Sequence, residues 1–172
     1  MNRPLKIYLG DLTYDTVAIS TEAMPINVGY IASYCLDKFD DKIEITIFKY
    51  ISELEDALIN SPPDILGLSN YCWSQNVSYE MFKILKRENP EALTIWGGPN
   101  FPIDLPSQKI FMKEFPAVDA YIPIDGEVGF SNIVKNTLEL DTPKEIHKKN
   151  LDNPIDGCIT RNKIGEIQFS IP

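Results

Sequence analysis

The sequence predicts an α/β protein in which helices cover both faces of an open, parallel β-sheet. Two observations predict this class. Short apolar segments typical of strands alternate with segments of helical periodicity, and the third strand segment, Ile65–Leu68, has almost no polar interruption. A strand without a polar face suits the centre of a sheet that is buried on both sides. The alternation implies right-handed crossovers and a three-layer, doubly wound architecture.

Periodicity and turn residues define the other elements. Four further strands are expected at Leu5–Gly10, Ile43–Phe48, Leu93–Trp96 and Asp119–Ile124. Helices are expected to begin near Pro25, Ser52, Val77, Pro106 and Gly126. With the third strand at the centre, the flavodoxin-like strand order 2-1-3-4-5 is predicted.

Several local details of the helices are also predicted. Ser52 and Glu55 have the spacing of a capping box for the second helix. Leu36 belongs to the predicted apolar face of the first helix. A long loop, Asp11–Met24, is expected between the first strand and the first helix, beyond the ~2 to 6 residues usual for such a link.

The pattern changes after Asp141. Residues 142–153 are polar, and a small β-hairpin is predicted from Gly157 to Phe169 around an Asn/Gly turn. We therefore divide the chain into a flavodoxin-like domain, residues 1–141, and a linker with a hairpin, residues 142–172. Because the chain stops directly after the hairpin, we expect a further C-terminal domain.

Composition excludes several partners. The formal net charge is -9, which disfavours nucleic acid and anionic lipid surfaces. No apolar run approaches the ~20 residues of a membrane span, and the N-terminus lacks a signal peptide pattern. The chain has 3 widely spaced cysteines, typical of reduced thiols. A cytoplasmic protein is expected.

Loop lengths predict the position of a ligand site. Connections that enter the strands are short, whereas those that leave strands one, three, four and five are longer and rich in Gly, Asn, Ser and aromatic residues. The carboxyl ends of parallel strands are the usual ligand edge. Gly97, Gly98 and Gly126 allow the backbone to approach a ligand closely, and helix N-termini offer amide donors.

Three common occupants of this fold do not match. A phosphoacceptor domain needs an aspartate after strand three, where this chain has Ser69 and Asn70. A flavin mononucleotide site needs a glycine-containing phosphate loop after strand one, which the segment from Asp11 lacks. A G-x-G-x-x-G dinucleotide motif is absent from the sequence.

Four segments carry a family resemblance over nearly the whole chain. They are Pro25–Tyr34, Gly67–Tyr71, Ile95–Pro99 and Val118–Tyr121 with the Asp125-Gly-Glu that follows it. In this order they resemble the N-terminal cobalamin-binding domain of cobalamin-dependent radical S-adenosylmethionine (radical SAM) enzymes. The hairpin from Pro154 resembles the bridge into the radical domain of those enzymes.

The resemblance implies a corrinoid across the carboxyl edge, with its nucleotide tail reaching down between the strands. Many cobalamin domains carry D-x-H-x-x-G after strand one; here Thr13 and Thr16 replace the His and the Gly. The sole histidine, His147, follows the last helix. We therefore expect base-off cobalamin without a His ligand, and assign no metal ligand and no catalytic residue.

The resemblance and the loop positions together give the expected cofactor-binding residues: Asp11, Leu12, Thr13, Ser69, Asn70, Trp73, Gly97, Gly98, Gly126 and Glu127. Alternatives remain for some of them. Trp73 caps the cofactor or packs on the fourth helix, Glu127 binds the cofactor or only complements the helix dipole, and Asp11 is otherwise a solvated loop residue.

The expected function is to hold a corrinoid for methyl transfer or related radical chemistry. The C-x-x-x-C-x-x-C loop of the radical SAM family is absent from this chain. The resemblance therefore places the 4Fe-4S cluster and S-adenosylmethionine in a downstream domain of the same polypeptide. The alternative is a stand-alone flavodoxin-like binding or regulatory module without cofactor chemistry.

Overall fold

The computed structural model describes residues 3–14, 24–139 and 151–170. The seven strands of these described ranges form one continuous sheet. The strands are β1 Leu5–Thr13, β2 Ile43–Tyr50, β3 Ile65–Ser69, β4 Leu93–Gly97, β5 Ala120–Ile122, β6 Cys158–Arg161 and β7 Ile167–Ser170. The helices are α1 Ile26–Phe39, α2 Ile51–Asn60, α3 Gln75–Glu88, α4 Leu105–Glu114 and α5 Gly126–Leu138, with a 3₁₀ turn at Asp40–Lys42.

The strand order is β2-β1-β3-β4-β5-β6-β7. Strands β1 to β5 pair in parallel, so the predicted order 2-1-3-4-5 and the α/β class are confirmed. The hairpin β6–β7 continues the sheet antiparallel to β5. The division at residue 141 remains a prediction.

Two apolar cores lie on opposite faces of the sheet and explain the three layers. One core joins the sheet to α1 and α5, and the other joins it to α2, α3 and α4. All five residues of β3 are buried, as its apolar sequence predicts. Side chains that alternate along each strand therefore enter different cores.

The hairpin is fixed at the edge of the sheet by backbone pairing and by Arg161. The guanidinium of Arg161 donates to the carbonyl oxygens of Met112, Phe115 and Val118. At the hairpin tip, the Asn162 side chain accepts from the amides of Ile164 and Glu166. The predicted hairpin with an Asn/Gly turn is therefore confirmed.

Some boundaries differ from the sequence predictions. Strand β1 extends to Thr13, because Thr13 pairs with Tyr50 after a register shift, so Asp11–Thr13 are not loop residues. The capping box is wrong, because α2 begins directly after β2 at Ile51 and no side chain caps it. Leu36 is 45% exposed and lies outside the apolar face of α1.

The helices within the described ranges are too short or too polar to cross a bilayer. The predicted loop from Asp11 to Met24 lies partly outside the described residues. Thr16, His147 and most of the predicted linker also lie outside them.

Candidate functional site

A cavity of about 400 Å³ opens at the carboxyl ends of β1, β3, β4 and β5. We call it the edge cavity. It lies between the sheet and the helices α1 and α5, on the face of the first core. Its principal lining residues are Leu9, Asn27, Ile31, Gly67, Ser69, Tyr71, Ile95, Gly97, Gly98, Ile122, Gly126, Glu127 and Phe130.

The deep part of the edge cavity is apolar. Leu9, Ile95 and Ile122 extend from β1, β4 and β5, and Phe130 of α5 closes one side. A Cβ at Gly67 would lie 2.8 Å from both Leu9 Cδ2 and Phe130 Cε2. The floor is therefore tightly packed around a glycine, and it suits a flat apolar group rather than a charged one.

The mouth of the edge cavity is polar. The Asn27 side-chain amide donates to Ser69 Oγ at 2.9 Å, which joins the start of α1 to the end of β3. On the other side, α5 begins at Gly126, with Asp125 as its N-cap and Glu127 in its first turn. An apolar interior with a few polar groups at its entrance is the usual composition of a small-molecule site.

The wall between the loops that follow β3 and β4 depends on Gly98. Its φ is +124°, and a Cβ would lie 2.8 Å from the backbone oxygen of Asn70. The Asn70 amide donates to the Gly97 oxygen at 2.6 Å. This close approach of two backbones is possible because residue 98 has no side chain.

A second cavity, of about 370 Å³, lies beside the first and is called here the rim cavity. Trp73, 62% exposed, stacks on Tyr71 there with ring centroids 4.7 Å apart and an interplanar angle of 4°. Tyr71 lines both cavities. The rim cavity is lined by Asp11, Leu12, Thr13, Met24, Pro25, Lys49, Tyr71 and Trp73.

Asp11 is half-buried at the end of β1, so the alternative that it is a solvated loop residue is wrong. Burial raises the pKa of its carboxyl group, while hydrogen bonds with the side chains of Asn27 and Ser69 act in the opposite direction. Asp11 therefore shares its hydrogen-bond partners with the mouth of the edge cavity. The two cavities share Tyr71 in their linings, and Asp11 of the rim cavity is hydrogen-bonded to Asn27 and Ser69 of the edge cavity.

The structure brings most of the expected cofactor residues to this edge. Five line the edge cavity and four line the rim cavity: Ser69, Gly97, Gly98, Gly126 and Glu127 in the first, and Asp11, Leu12, Thr13 and Trp73 in the second. Asn70 lines neither, and its side chain is fully buried. Leu12 is also largely buried in the second core. The roles of all ten expected residues as cofactor ligands remain predictions.

Several lining residues were not among the expected ones. Leu9, Ile95 and Ile122 belong to the predicted strands. Asn27 and Tyr71 are polar residues of the segments that carry the family resemblance, and that placement was the available signal. Every second residue of a strand lies on the same face of the sheet. Once the face that contains the cavity is known, the floor residues of β1, β3, β4 and β5 follow from this alternation.

The fold and the site define a doubly wound α/β domain with a cavity at the carboxyl edge of its sheet. Comparison with known proteins gives a more particular likeness. The chain is 26% identical over 121 residues to the cobalamin-dependent radical SAM methyltransferase TokK of Streptomyces tokunonensis, covering 67% of this chain and 17% of TokK. It is 32% identical over 76 residues to 2-(S-pantetheinyl)-carbapenam-3-carboxylate methyltransferase of Streptantibioticus cattleyicolor, covering 44% of this chain and 11% of that protein.

A solved structure agrees. The cobalamin-dependent S-adenosylmethionine radical enzyme OxsB, with aqua-cobalamin and S-adenosylmethionine bound, matches 99% of this chain and 22% of its own. The TM-score is 0.58 at 19% identity, a likeness of fold. No family model matches the chain. The predicted resemblance to cobalamin-dependent radical SAM enzymes is confirmed, and the matched segment spans less than a quarter of each of these three proteins.

Proposed function

We propose that this chain is a cobalamin-binding domain that holds the corrinoid for methyl transfer or related radical chemistry in a larger radical SAM enzyme. The observation that carries the proposal is the edge cavity, which lies at the carboxyl ends of the parallel strands, where ligands of this fold class bind. The similarity to TokK supports the choice of cobalamin over other ligands.

The size and polarity of the edge cavity suit the nucleotide end of cobalamin. Its volume of about 400 Å³ is near the lower end of the roughly 300–1,000 Å³ typical of ligand sites. The corrin macrocycle with its amide side chains is far larger than this volume, whereas a benzimidazole nucleotide has that size. The base lies on the apolar floor, and the ribose and phosphate lie at the polar mouth.

Each polar group at the mouth has a specific task in this arrangement. Backbone amides at the start of α5, around Gly126, face the phosphate, which helix N-termini favour. Glu127 accepts hydrogen bonds from ribose hydroxyls or corrin amides. Gly97 and Gly98 form a wall without side chains, so that the nucleotide passes close to the backbone.

The corrin ring rests outside, across the rim cavity. The stacked pair of Tyr71 and Trp73 offers a flat aromatic surface there, and Asp11, Leu12 and Thr13 lie at the end of β1 beneath it. Thr13 stands where many cobalamin domains carry the cobalt-binding His. We propose that the bound form is base-off without a His ligand.

The chemistry supplied by cobalamin is methyl or radical transfer at cobalt. The residues of this chain contribute binding, orientation and exclusion of water. The proposal places the 4Fe-4S cluster and S-adenosylmethionine in a radical SAM domain of the same polypeptide, since the matched relatives are several times longer than the matched segment. It also places the protein in the cytoplasm, where the thiols of Cys35 and Cys158 stay reduced.

The test is to mix the purified chain with hydroxocobalamin, desalt it, and record the corrin absorbance that stays with the protein. Retention of about one corrinoid per chain is expected. No retention would contradict the proposal and favour a stand-alone binding module. In the reduced Co(II) state, the electron paramagnetic resonance spectrum is expected to lack nitrogen splitting, and a spectrum with histidine coordination would refute the ligation proposed.

A further inference from the structure

Asn70, Asn100, Tyr121 and the Gly98 carbonyl form a buried hydrogen-bonded network, called here the polar clamp. Asn70 Nδ2 donates to the Asn100 carbonyl oxygen at 2.8 Å and to Tyr121 Oη at 3.2 Å. Tyr121 Oη donates to the Gly98 carbonyl oxygen at 2.8 Å. Asn100 Nδ2 lies 3.3 Å from Asn70 Oδ1 and donates to it.

The side chains at the centre of the clamp are out of reach of solvent. Asn70 and Tyr121 are both 0% exposed. Burial raises the pKa of Tyr121, so its hydroxyl group stays protonated and remains a donor. A buried polar group without a partner destabilises the folded state, so each of these side chains depends on the others.

The clamp acts on the wall of the edge cavity. Asn70 directly follows Ser69, and the clamp binds the carbonyl group of Gly98; Ser69 and Gly98 both line that wall. The clamp therefore fixes the distance between the loops after β3 and β4, and these loops form the cavity wall. Asn70 itself lines neither cavity.

Apolar side chains in place of the clamp would fill the same space, but they would not fix the position of the backbone after β4. Phe101 stacks on the Tyr121 ring with centroids 3.8 Å apart, so the ring is held by packing even without its hydroxyl group. What the hydroxyl adds is a fixed position for the Gly98 carbonyl. Fully satisfied buried polar networks fix one arrangement of the backbone in this way.

We propose that Asn70 and Tyr121 are positioning residues that give the edge cavity its selectivity for the nucleotide end of the corrinoid. The proposal rests on the proposed cobalamin function and deepens it. In this proposal neither side chain touches the ligand, so Asn70 acts indirectly and not through the direct contact that the sequence predicts. They act through the Gly97–Gly98 wall, so that a complete cobalamin is preferred over a cobinamide, the corrinoid that lacks the nucleotide.

The test compares Tyr121→Phe with the wild type. Affinities for hydroxocobalamin and for aquo-cobinamide are measured by equilibrium dialysis, and stability is measured by urea unfolding. Loss of the hydroxyl removes two buried hydrogen bonds, and we expect about a tenfold weaker affinity for cobalamin. The affinity for cobinamide is expected to stay within about twofold, because cobinamide does not enter the cavity.

Tyr8→Phe is the matched control. Tyr8 is also buried, and its hydroxyl group donates to the Ser61 carbonyl oxygen at 2.9 Å, near the amino end of the sheet. This variant loses a comparable hydrogen bond far from the edge cavity. We expect the ratio of its affinities for cobalamin and cobinamide to equal that of the wild type, even if its free energy of unfolding falls.

The outcomes separate the two proposals. A wild type that binds no cobalamin refutes the proposed function and the clamp proposal with it. A wild type that prefers cobalamin, with the same preference in Tyr121→Phe, refutes the clamp proposal alone, as does an equal loss for both ligands. If Tyr121→Phe does not fold, Asn100→Ala removes only the partly exposed part of the clamp, and about a threefold loss of preference is expected.

Discussion

Gly97→Leu is expected to block the edge cavity without disturbing the fold. Gly97 follows Ile95 on the same face of β4, so its side chain would point toward the cavity. A Cβ there meets only the Ile122 carbonyl oxygen, at 3.5 Å, an ordinary contact. The backbone of Gly97 is not in the left-handed region, so leucine introduces no strain there.

The magnitude follows from the volumes. At roughly 30 Å³ for each water-sized group, the four added carbon atoms occupy roughly 120 Å³, about three tenths of the cavity. Forcing the nucleotide into the remaining space resembles overpacking, which costs about 1–3 kcal/mol, or roughly 5- to 150-fold in affinity. The free protein should be as stable as the wild type, because glycine inside a strand is itself unfavourable.

Equilibrium dialysis with hydroxocobalamin measures the affinity, and thermal unfolding measures the stability. Gly29→Leu is the matched control: it adds the same side chain on α1, where a Cβ has no atom within 4 Å. This control should bind cobalamin like the wild type. Unchanged affinity in a folded Gly97→Leu variant would show that the ligand does not enter the edge cavity.

Three further outcomes are expected from other sites. Gly98→Ala, with φ at +124°, should lower the free energy of unfolding by about 2–4 kcal/mol in urea titrations, and an unchanged midpoint would contradict the strain described. Burial raises the pKa of Asp11, so its ionised form opposes folding; Asp11→Asn should gain stability relative to the wild type at pH 7, a gain that disappears below about pH 4. A pH-independent difference would refute this. Among the cysteines, Cys72 alone is exposed, and burial raises the pKa of the other two thiols to about 12. One thiol should react with a disulfide reagent before unfolding; fast reaction of all three would contradict the burial.

The fold was predictable because local patterns agree with tertiary packing. The continuous apolar run of β3 has no face that tolerates water, so its central place follows from sequence alone. The buried faces of α3, including Met81, Phe82 and Leu85, follow from helical spacing. Pro62 and Pro63 follow α2 and Pro90 follows α3, and proline cannot continue a helix, so the ends of these two helices are also predictable from the sequence.

The details of the site were less predictable because they depend on contacts between distant segments. Asp11 and Thr13 are polar like loop residues, yet pairing with β2 keeps this segment in the sheet. Asn70 stands at a position typical of ligand contact, but Tyr121, 51 residues away, turns its side chain into the interior. Both faces of the sheet are apolar, so the sequence does not indicate which one contains the cavity.

A crystal structure of the chain with bound hydroxocobalamin tests the central claim most directly. The account predicts the benzimidazole between Leu9, Gly67 and Phe130, with the corrin ring over Tyr71 and Trp73 and no protein nitrogen on cobalt. A corrinoid whose base remains on cobalt, or one bound away from the carboxyl edge with the cavity unchanged, would contradict it.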